Sequence, residues 1–473
     1  MKAVLRAAAL GVVLAAVASA AASCRRDATR AWRGMNVIWI SFDSVRADHC
    51  SFDGYGRNTT PNLGALAARG VRFDRVVAQA PYTLPSYASM LTSRYVAELA
   101  VQEQRDEKDA SKILGIAPGP SSSDVLLSEA LHDAGYRTAA FVQSWVSKPF
   151  GFDRGWDLFR HVQESLGEKV PRVVEWIEQN RAKPFFVFLY STDPHYPFLR
   201  AHARQNLYGT YPSAFEFTLE TIEGVRAGTL HPSSDDIGNA MAMYDEGIHW
   251  ADADLAPLFA YLERSGLGQK TIVVFNADHG EEFGEHGVIS HGQTYYDGVV
   301  RTPLVIAAPG MARADGRSRT LVQNLDVAPT ILDMIGVARP AAWSGRSLEG
   351  EFGETTAAEP PRPAFCEGAW TFWIGSVVDG DRKFILKTPQ ERMLFDLAKD
   401  PGEASNLAAS EPDGVRTLYH ALMKHLGGPR QWLATSADRP PSYETWMKQV
   451  MGHYGLGEQS DVVKELRSLG YLH

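Results

Sequence analysis

Four short segments of this chain place acids and histidines directly after runs of apolar, β-forming residues. Asp43 follows NVIWISF, and Ala277-Asp278-His279-Gly280 follows TIVVFN in the same strand-then-acid arrangement. Asp193-Pro194-His195 stands just past FFVFLY, and GEHGVISHG sets His286 and His291 in a glycine-rich loop. An acid and an imidazole at a strand end can turn toward one cation, because the chain has left the pleat that sends successive side chains to opposite faces. Taken singly, each has an ordinary reading: Asp43 can cap the next turn, and a lone histidine is usually a satisfied hydrogen-bonding residue. Four such clusters, each just past an expected strand, point instead to one polar centre able to hold a divalent ion or an anionic substrate.

The elements that must position these residues alternate short apolar runs with longer helical patterns, which predicts an α/β fold with a large, mostly parallel sheet sandwiched by helices. The strand candidates are Asn36–Phe42, Thr138–Val142, Phe185–Tyr190, Thr271–Asn276 and Pro303–Ala307. Helices are expected over Pro61–Arg69, opened by proline and closed by Gly70, and over Ser123–Asp133. The carboxyl ends of such strands are where open α/β sheets bind their ligands. Beyond a Pro-, Ala- and Glu-rich stretch, Gly353–Pro363, the pattern shifts to short strands near Phe372–Val378 and Lys383–Leu386 and a helix near Val415–His425. That predicts a small α+β C-terminal subdomain. The boundaries read as an export signal over 1–23, a linker over 24–35, a catalytic domain over 36–352, a linker over 353–363, and the subdomain and tail over 364–473.

The chain's 473 residues, 45% of them hydrophobic, are enough for a large core, and no internal repeat is present. A net charge of -9, without a basic stripe beyond Arg25 and Arg26, argues against nucleic acid as a partner. Lys2 and Arg6 precede a small-residue apolar run ending in Ala-Ala-Ser-Cys, the pattern of an export signal, which predicts an extracytoplasmic protein. Cys24 resembles a lipoprotein cleavage site, although Ala21 stands where a large aliphatic residue is usual, so a membrane tether through Cys24 and simple secretion both stay open. Only Cys50 and Cys366 remain, and two buried free thiols are expected in place of a disulfide framework.

The segments NVIWISFDSVRADHCSFDGYGRNTTPNLGALAARGVRFDRVVAQAPYTLPSYASMLTS and ADHGEEFGEHGVISHGQTYYDGVVRTPLVIAAPG resemble the two main blocks of the sulfatase family, within the alkaline-phosphatase superfamily. NLDVAPTILDMIG and MLFDLAKDPGEASNLA resemble its later core helix and its C-terminal subdomain, so the likeness runs from about Asn36 to the end. Two departures matter. Where sulfatases carry a cysteine or serine that becomes formylglycine, followed by Pro and Arg, this chain has Thr83, Pro85 and Tyr87. Threonine already bears a methyl on Cβ and cannot become that aldehyde. Ser44 stands where calcium-binding sulfatases commonly carry a second aspartate, and His279 where they use asparagine.

The resemblance therefore implies a metal site of Asp43, Thr83, Asp278 and His279, with Thr83 as a metal-bound nucleophile at the start of the helix that Pro85 begins, and no formylglycine. One divalent ion is implied, Mn²⁺ or Zn²⁺ in preference to Ca²⁺, since imidazole suits the former. A second ion would need Asp193, His195 and His291 to gather around it. By the same resemblance His195 and His291 contact the substrate or protonate the leaving group. The activity expected is hydrolysis of a sulfate or phosphate ester of a small molecule, glycan or lipid. Two alternatives stay open: a transferase of the phosphoglycerol or phosphoethanolamine type acting on an envelope lipid or glycan, and a catalytically degenerate binding protein. Retention of Asp43, Asp278, His279, His195 and His291 weighs against the last.

Overall fold

The computed structural model describes residues 32–99, 102–106, 109–117, 119–198, 206–209, 215–311, 315–352, 360–368, 374–388, 390–427, 451, 456–457 and 459–468. The expected export signal, Cys24 and most of the Gly353–Pro363 linker lie outside these residues. Among the described residues, no helix is long and apolar enough to cross a membrane.

In chain order the strands are β1 (Asn36–Phe42), β2 (Val71–Val77), β3 (Gln102–Asp106), β4 (Asp109–Ala117), β5 (Arg137–Val142), β6 (Leu158–His161), β7 (Phe185–Ser191) and β8 (Thr271–Ala277). They continue with β9 (Glu282–Phe283), β10 (Ile289–Ser290), β11 (Leu304–Ala307), β12 (Arg317–Gln323), β13 (Ala364–Glu367), β14 (Gly375–Asp379), β15 (Arg382–Leu386) and β16 (Arg392–Asp396). Eight form the central sheet in the order β12-β2-β11-β8-β1-β7-β5-β6. Every neighbouring pair is parallel except the two made by β11, which runs against both β2 and β8.

The sequence of the middle strands explains this arrangement. β1, β7 and β8 are buried along their whole length, as strands covered on both faces must be. Their alternate residues feed two separate cores: Val37, Trp39, Phe186, Phe188, Tyr190, Ile272 and Val274 enter one, and Ile38, Ile40, Phe42, Val187, Leu189, Val273 and Phe275 enter the other. The helices Thr83–Thr92 and Val327–Ile335 close the first face through Leu84, Tyr87, Met90, Ile331 and Leu332. The helices Leu166–Asn180, Ser234–Asp254 and Ala256–Arg264 close the second through Val170, Ile177, Tyr244, Ile248 and Leu258. The result is the sandwiched, mostly parallel sheet that the hydrophobic pattern predicts.

Several details differ from expectation. The strands β2, β6 and β12 escape notice because VRFDRVV, LFRH and RSRTLVQ carry charge on their half-buried faces and lack a continuous apolar run. The helix expected from Ser123 begins at Leu127, while Ser121 and Asp124 form a hydrogen-bonded turn before it. The helix expected to start at Pro85 starts at Thr83, with Tyr82 as its N-cap. Cys50 and Cys366 are both free and buried, in agreement with the expectation of unpaired thiols.

The C-terminal sheet, β13-β14-β15-β16, is antiparallel throughout. One face carries Val377, Phe384 and Leu394 against Val415, Leu418 and Leu422 of the helix Pro412–His425. The other sets Cys366, Val378, Ile385 and Phe395 against Tyr295, Tyr296, Val299 and Val300, which follow the histidine loop in the chain. Lys383 anchors that contact: it is fully buried, and its ammonium reaches Asp297 at 2.6 Å and Glu403 at 2.8 Å. Removing one member of a buried ionic cluster strands the others, at about 3–5 kcal/mol. Lys383→Met is therefore expected to lower the thermal midpoint by several degrees in a melt against the wild type. An unchanged midpoint would show that the cluster adds nothing to stability.

Candidate active site

The carboxyl ends of three central-sheet strands, the start of one helix and the end of the short strand β10 bring the polar residues together. Asp43 is the first residue after β1, and its amide donates to the Ser191 carbonyl at the end of β7 (2.9 Å). Asp278 and His279 are the first residues after β8, the neighbour of β1 on its other side. Thr83 opens the helix that follows β2. His195 lies four residues past β7, and His291 directly follows β10.

Asp43, Asp278 and His279 present carboxylate and imidazole atoms that all lie within 4.8 Å of one another, and all three side chains are buried. Among the described residues this is the one group of three or more such side chains with metal-binding spacing. The His279 Nε2 atom is 3.3 Å from Asp278 Oδ2, 3.6 Å from Asp43 Oδ1 and 3.2 Å from Thr83 Oγ1. Its other nitrogen, Nδ1, donates to the Gly280 carbonyl at 3.0 Å, which leaves the Nε2 lone pair facing the carboxylates.

Each carboxylate is oriented by its own partners. Asp43 accepts hydrogen bonds from Ser44 Oγ at 2.8 Å and from the Tyr190 hydroxyl. Asp278 Oδ1 accepts from the backbone amides of Ser44 (3.1 Å) and His279 (2.9 Å), whereas Oδ2 is buried and accepts no hydrogen bond from the described residues. Ser44 thus ties both acids together, and to do so it adopts a left-handed backbone, φ +60°, that non-glycine residues seldom take. Behind Asp43, the Tyr190 ring packs edge-on against Tyr87 at 4.7 Å, and the Tyr87 hydroxyl meets Ser41 Oγ at 2.9 Å. Tyr87 is therefore a core residue and brings no charge to the site.

The electrostatics are those of two acids and an imidazole buried side by side. Burial, and then the neighbouring Asp43, push the Asp278 carboxyl well above the usual range. Burial also raises Asp43, but the nearby imidazoles and the Tyr190 hydrogen bond outweigh it and leave that group low. Burial and the adjacent His291 depress His279 to about 3, so its imidazole is neutral and free to ligate. Two carboxylates this close cannot both ionise without a counter-charge. The unbonded Asp278 Oδ2 and the neutral Nε2 of His279 both fit a divalent cation.

His195 and His291 flank this cluster. Their ring centroids are 5.1 Å apart, and the His291 ring lies 4.4 Å from that of His279. The His195 Nδ1 atom bonds the Tyr196 carbonyl. The His291 Nδ1 atom is 3.2 Å from both oxygens of Glu281, a buried carboxyl that desolvation pushes up to about 8. His286 and Asp193 do not join them. His286 stacks on Tyr296 at 3.5 Å and bonds Glu282 and the Gly402 carbonyl, so it ties the loop to the C-terminal subdomain. Asp193 accepts from the Leu166 amide at 2.8 Å, at the start of the helix Leu166–Asn180, and no three-ligand group for a second ion occurs among the described residues.

Three residues here have no counterpart in the expectations. Glu281 lies in a run of acids, EEFGE, with no periodicity to single it out. Tyr190 reads as the apolar end of a strand. Lys169 reads as the polar face of an amphipathic helix, yet it is buried and donates to Gln143 Oε1 and to the Tyr190 carbonyl.

A strand-end pair of carboxylates, a neutral imidazole and a hydroxyl at a helix N-terminus define an α/β protein with a candidate metal centre of hydrolytic type. A family profile described as Sulfatase matches residues 35–337, and the chain belongs to that family. Arylsulfatase K of Mus musculus is 26% identical over 355 residues, covering 65% of this chain and 61% of the relative, so the match spans under two thirds of that protein. Choline-sulfatase of Rhizobium meliloti (strain 1021) is 24% identical over 476 residues, covering 83% of this chain and 89% of the relative. In three dimensions the chain is similar to the phosphonate monoester hydrolase of Agrobacterium radiobacter, with a TM-score of 0.66 at 20% identity over 83% of this chain and 95% of the other.

Proposed function

We propose that this chain is an extracytoplasmic, metal-dependent hydrolase of sulfate or phosphate esters in which Thr83 is the nucleophile and formylglycine takes no part. The observation that carries the reading is the placement of Thr83 Oγ1, 3.2 Å from His279 Nε2 and at the first position of a buried helix. Asp43, Thr83, Asp278 and His279 would hold the ion, and the nitrogen ligand favours Mn²⁺ or Zn²⁺ over Ca²⁺. A divalent cation bound there lowers the pKa of an adjacent hydroxyl and offsets charge on an anionic substrate.

The protein's own groups then account for both halves of the reaction. As the Thr83 oxygen attacks the sulfur or phosphorus atom, its hydroxyl proton passes to His195 or His291, and the bond to the ester oxygen breaks. That oxygen leaves as an alcohol with a proton from His195 or His291. Water next attacks the sulfo- or phospho-threonine and gives its proton to the same histidine, which hands it to Thr83 Oγ1 as inorganic sulfate or phosphate departs. Throughout, the helix N-terminus directs the Thr83 and Leu84 amides and a positive dipole at the substrate's anionic oxygens.

The named relatives comprise sulfatases and a phosphonate monoester hydrolase, and all three ester types share a tetrahedral anionic centre that such a site suits. The test is an assay of protein loaded with Mn²⁺ or Zn²⁺ against an aryl sulfate, a phosphate monoester, a phosphate diester and a phosphonate monoester. Turnover of at least one class is expected. No turnover of any of them overturns the reading.

A further inference from the structure

Glu281 is a fully buried acid whose carboxyl group makes one side-chain contact among the described residues. Both oxygens lie 3.2 Å from His291 Nδ1, and among the described residues nothing else hydrogen-bonds them. The backbone around it is already secured, because the Glu281 amide donates to the Gly298 carbonyl at 2.9 Å and its carbonyl accepts from Arg46 at 3.1 Å. The fold thus does not need a carboxylate at this position, and desolvating one is costly.

His291 is held from several sides. Its carbonyl accepts from Arg226 at 3.1 Å, the residue before it has φ +73°, and the amide after it donates to the Pro81 carbonyl at 2.8 Å. Those contacts fix the main chain, and the rings of His195, His279 and Tyr196 confine the imidazole without choosing between its two flipped orientations. Glu281 makes that choice: it grips one edge of the imidazole, and the ring stays between those of His279 at 4.4 Å and His195 at 5.1 Å. The opposite edge, with Nε2, hydrogen-bonds no described residue.

We infer that Glu281 is a positioning residue for His291, holding the ring by Nδ1–H so that Nε2 is the atom offered to a substrate oxygen. The inference rests on the hydrolase reading above. It adds a second carboxyl function to the site, separate from Asp43 and Asp278: an acid that orients a proton-transferring imidazole and leaves the ion alone.

The experiment compares Glu281→Met, which keeps the volume and removes the acceptor, with Glu281→Gln, which keeps an acceptor without charge. Glu281→Met should lower kcat by about 100-fold with KM nearly unchanged and metal content intact, and Glu281→Gln should recover part of that loss. Adding Glu281→Met to His291→Ala should cost little more than His291→Ala alone, because the acid works through that ring. Undiminished kcat in Glu281→Met, additive losses in the double variant, or loss of metal in Glu281→Met would each overturn the inference. Nitrogen-15 NMR of His291 reads the ring directly and needs no turnover, so an inactive wild type would defeat the hydrolase reading alone. One Nδ1–H tautomer in the wild type and a mixture in Glu281→Met supports the positioning role, whereas identical spectra overturn it.

Discussion

Thr83→Ala is expected to abolish ester hydrolysis at any metal loading, by about a thousandfold or more in kcat/KM, while the fold and metal content stay close to wild type. The effect is large because the attacking oxygen itself is lost, whereas its part in holding the ion is shared with Asp43, Asp278 and His279. Its hydroxyl meets His279 Nε2 at 3.2 Å, and its backbone already belongs to the helix Thr83–Thr92, so removing the oxygen and methyl leaves only a small cavity beside well-packed neighbours. Leu84, Tyr87, Ala88 and Met90 anchor that helix in the core independently of Thr83. Thr83→Ser keeps the hydroxyl and should retain part of the activity, at some cost in rotational freedom because the methyl that restricts χ1 is gone. Steady-state rates for both variants, with metal content measured on the same samples, separate loss of the nucleophile from loss of the ion. Undiminished turnover in Thr83→Ala would rule out a covalent threonine adduct.

How much of this was legible in the sequence follows from where each signal resides. β1, β7 and β8 are buried on both faces, so each is a continuous apolar run, and the acid that ends each run stands out against it. This is why Asp43, Asp278 and His195 could be picked out from residue type and position alone. β2, β6 and β12 are half-buried strands with charged outer faces and give no such contrast. The reversed direction of β11 was equally hidden, since direction depends on the connections between strands and the runs look alike either way. Thr83 was identifiable only by likeness to a family, because a threonine before Leu-Pro-Ser has nothing chemical to distinguish it. Asp193 shows the opposite failing: the sequence placed it beside His195, but its carboxylate turned back to cap a helix. Glu281, Tyr190 and Lys169 were missed because their significance lies in long-range contacts, and neither spacing nor composition records those.

His279→Ala is expected to empty the metal centre, and this is the second large effect. Purified wild type should carry about one equivalent of Mn²⁺ or Zn²⁺, since a nitrogen ligand among carboxylates suits these ions better than Ca²⁺. The histidine supplies that nitrogen from a ring whose Nδ1 is fixed on the Gly280 carbonyl, and no other described imidazole has a nitrogen close enough to both Asp43 and Asp278 to join them. Loss of an outer partner of a ligand typically weakens metal binding by about 10–100-fold, so loss of the ligand itself should weaken it further. It should also shift what affinity remains toward ions that accept all-oxygen sites. Without the ion, Asp43 and Asp278 would face each other with no counter-charge, in a site where burial and then the neighbouring Asp43 already hold the Asp278 carboxyl well above the usual range. Chelation should therefore lower the melting temperature of the wild type, because an ion present at about a hundred times its Kd contributes about 2.7 kcal/mol by mass action. The same treatment should barely move His279→Ala, which has little ion to lose. Elemental analysis of both proteins, paired with melts before and after chelation, tests each of these steps. Full metal occupancy in His279→Ala would remove His279 from the ligand set, and two equivalents in the wild type would call for a second site that these residues do not form.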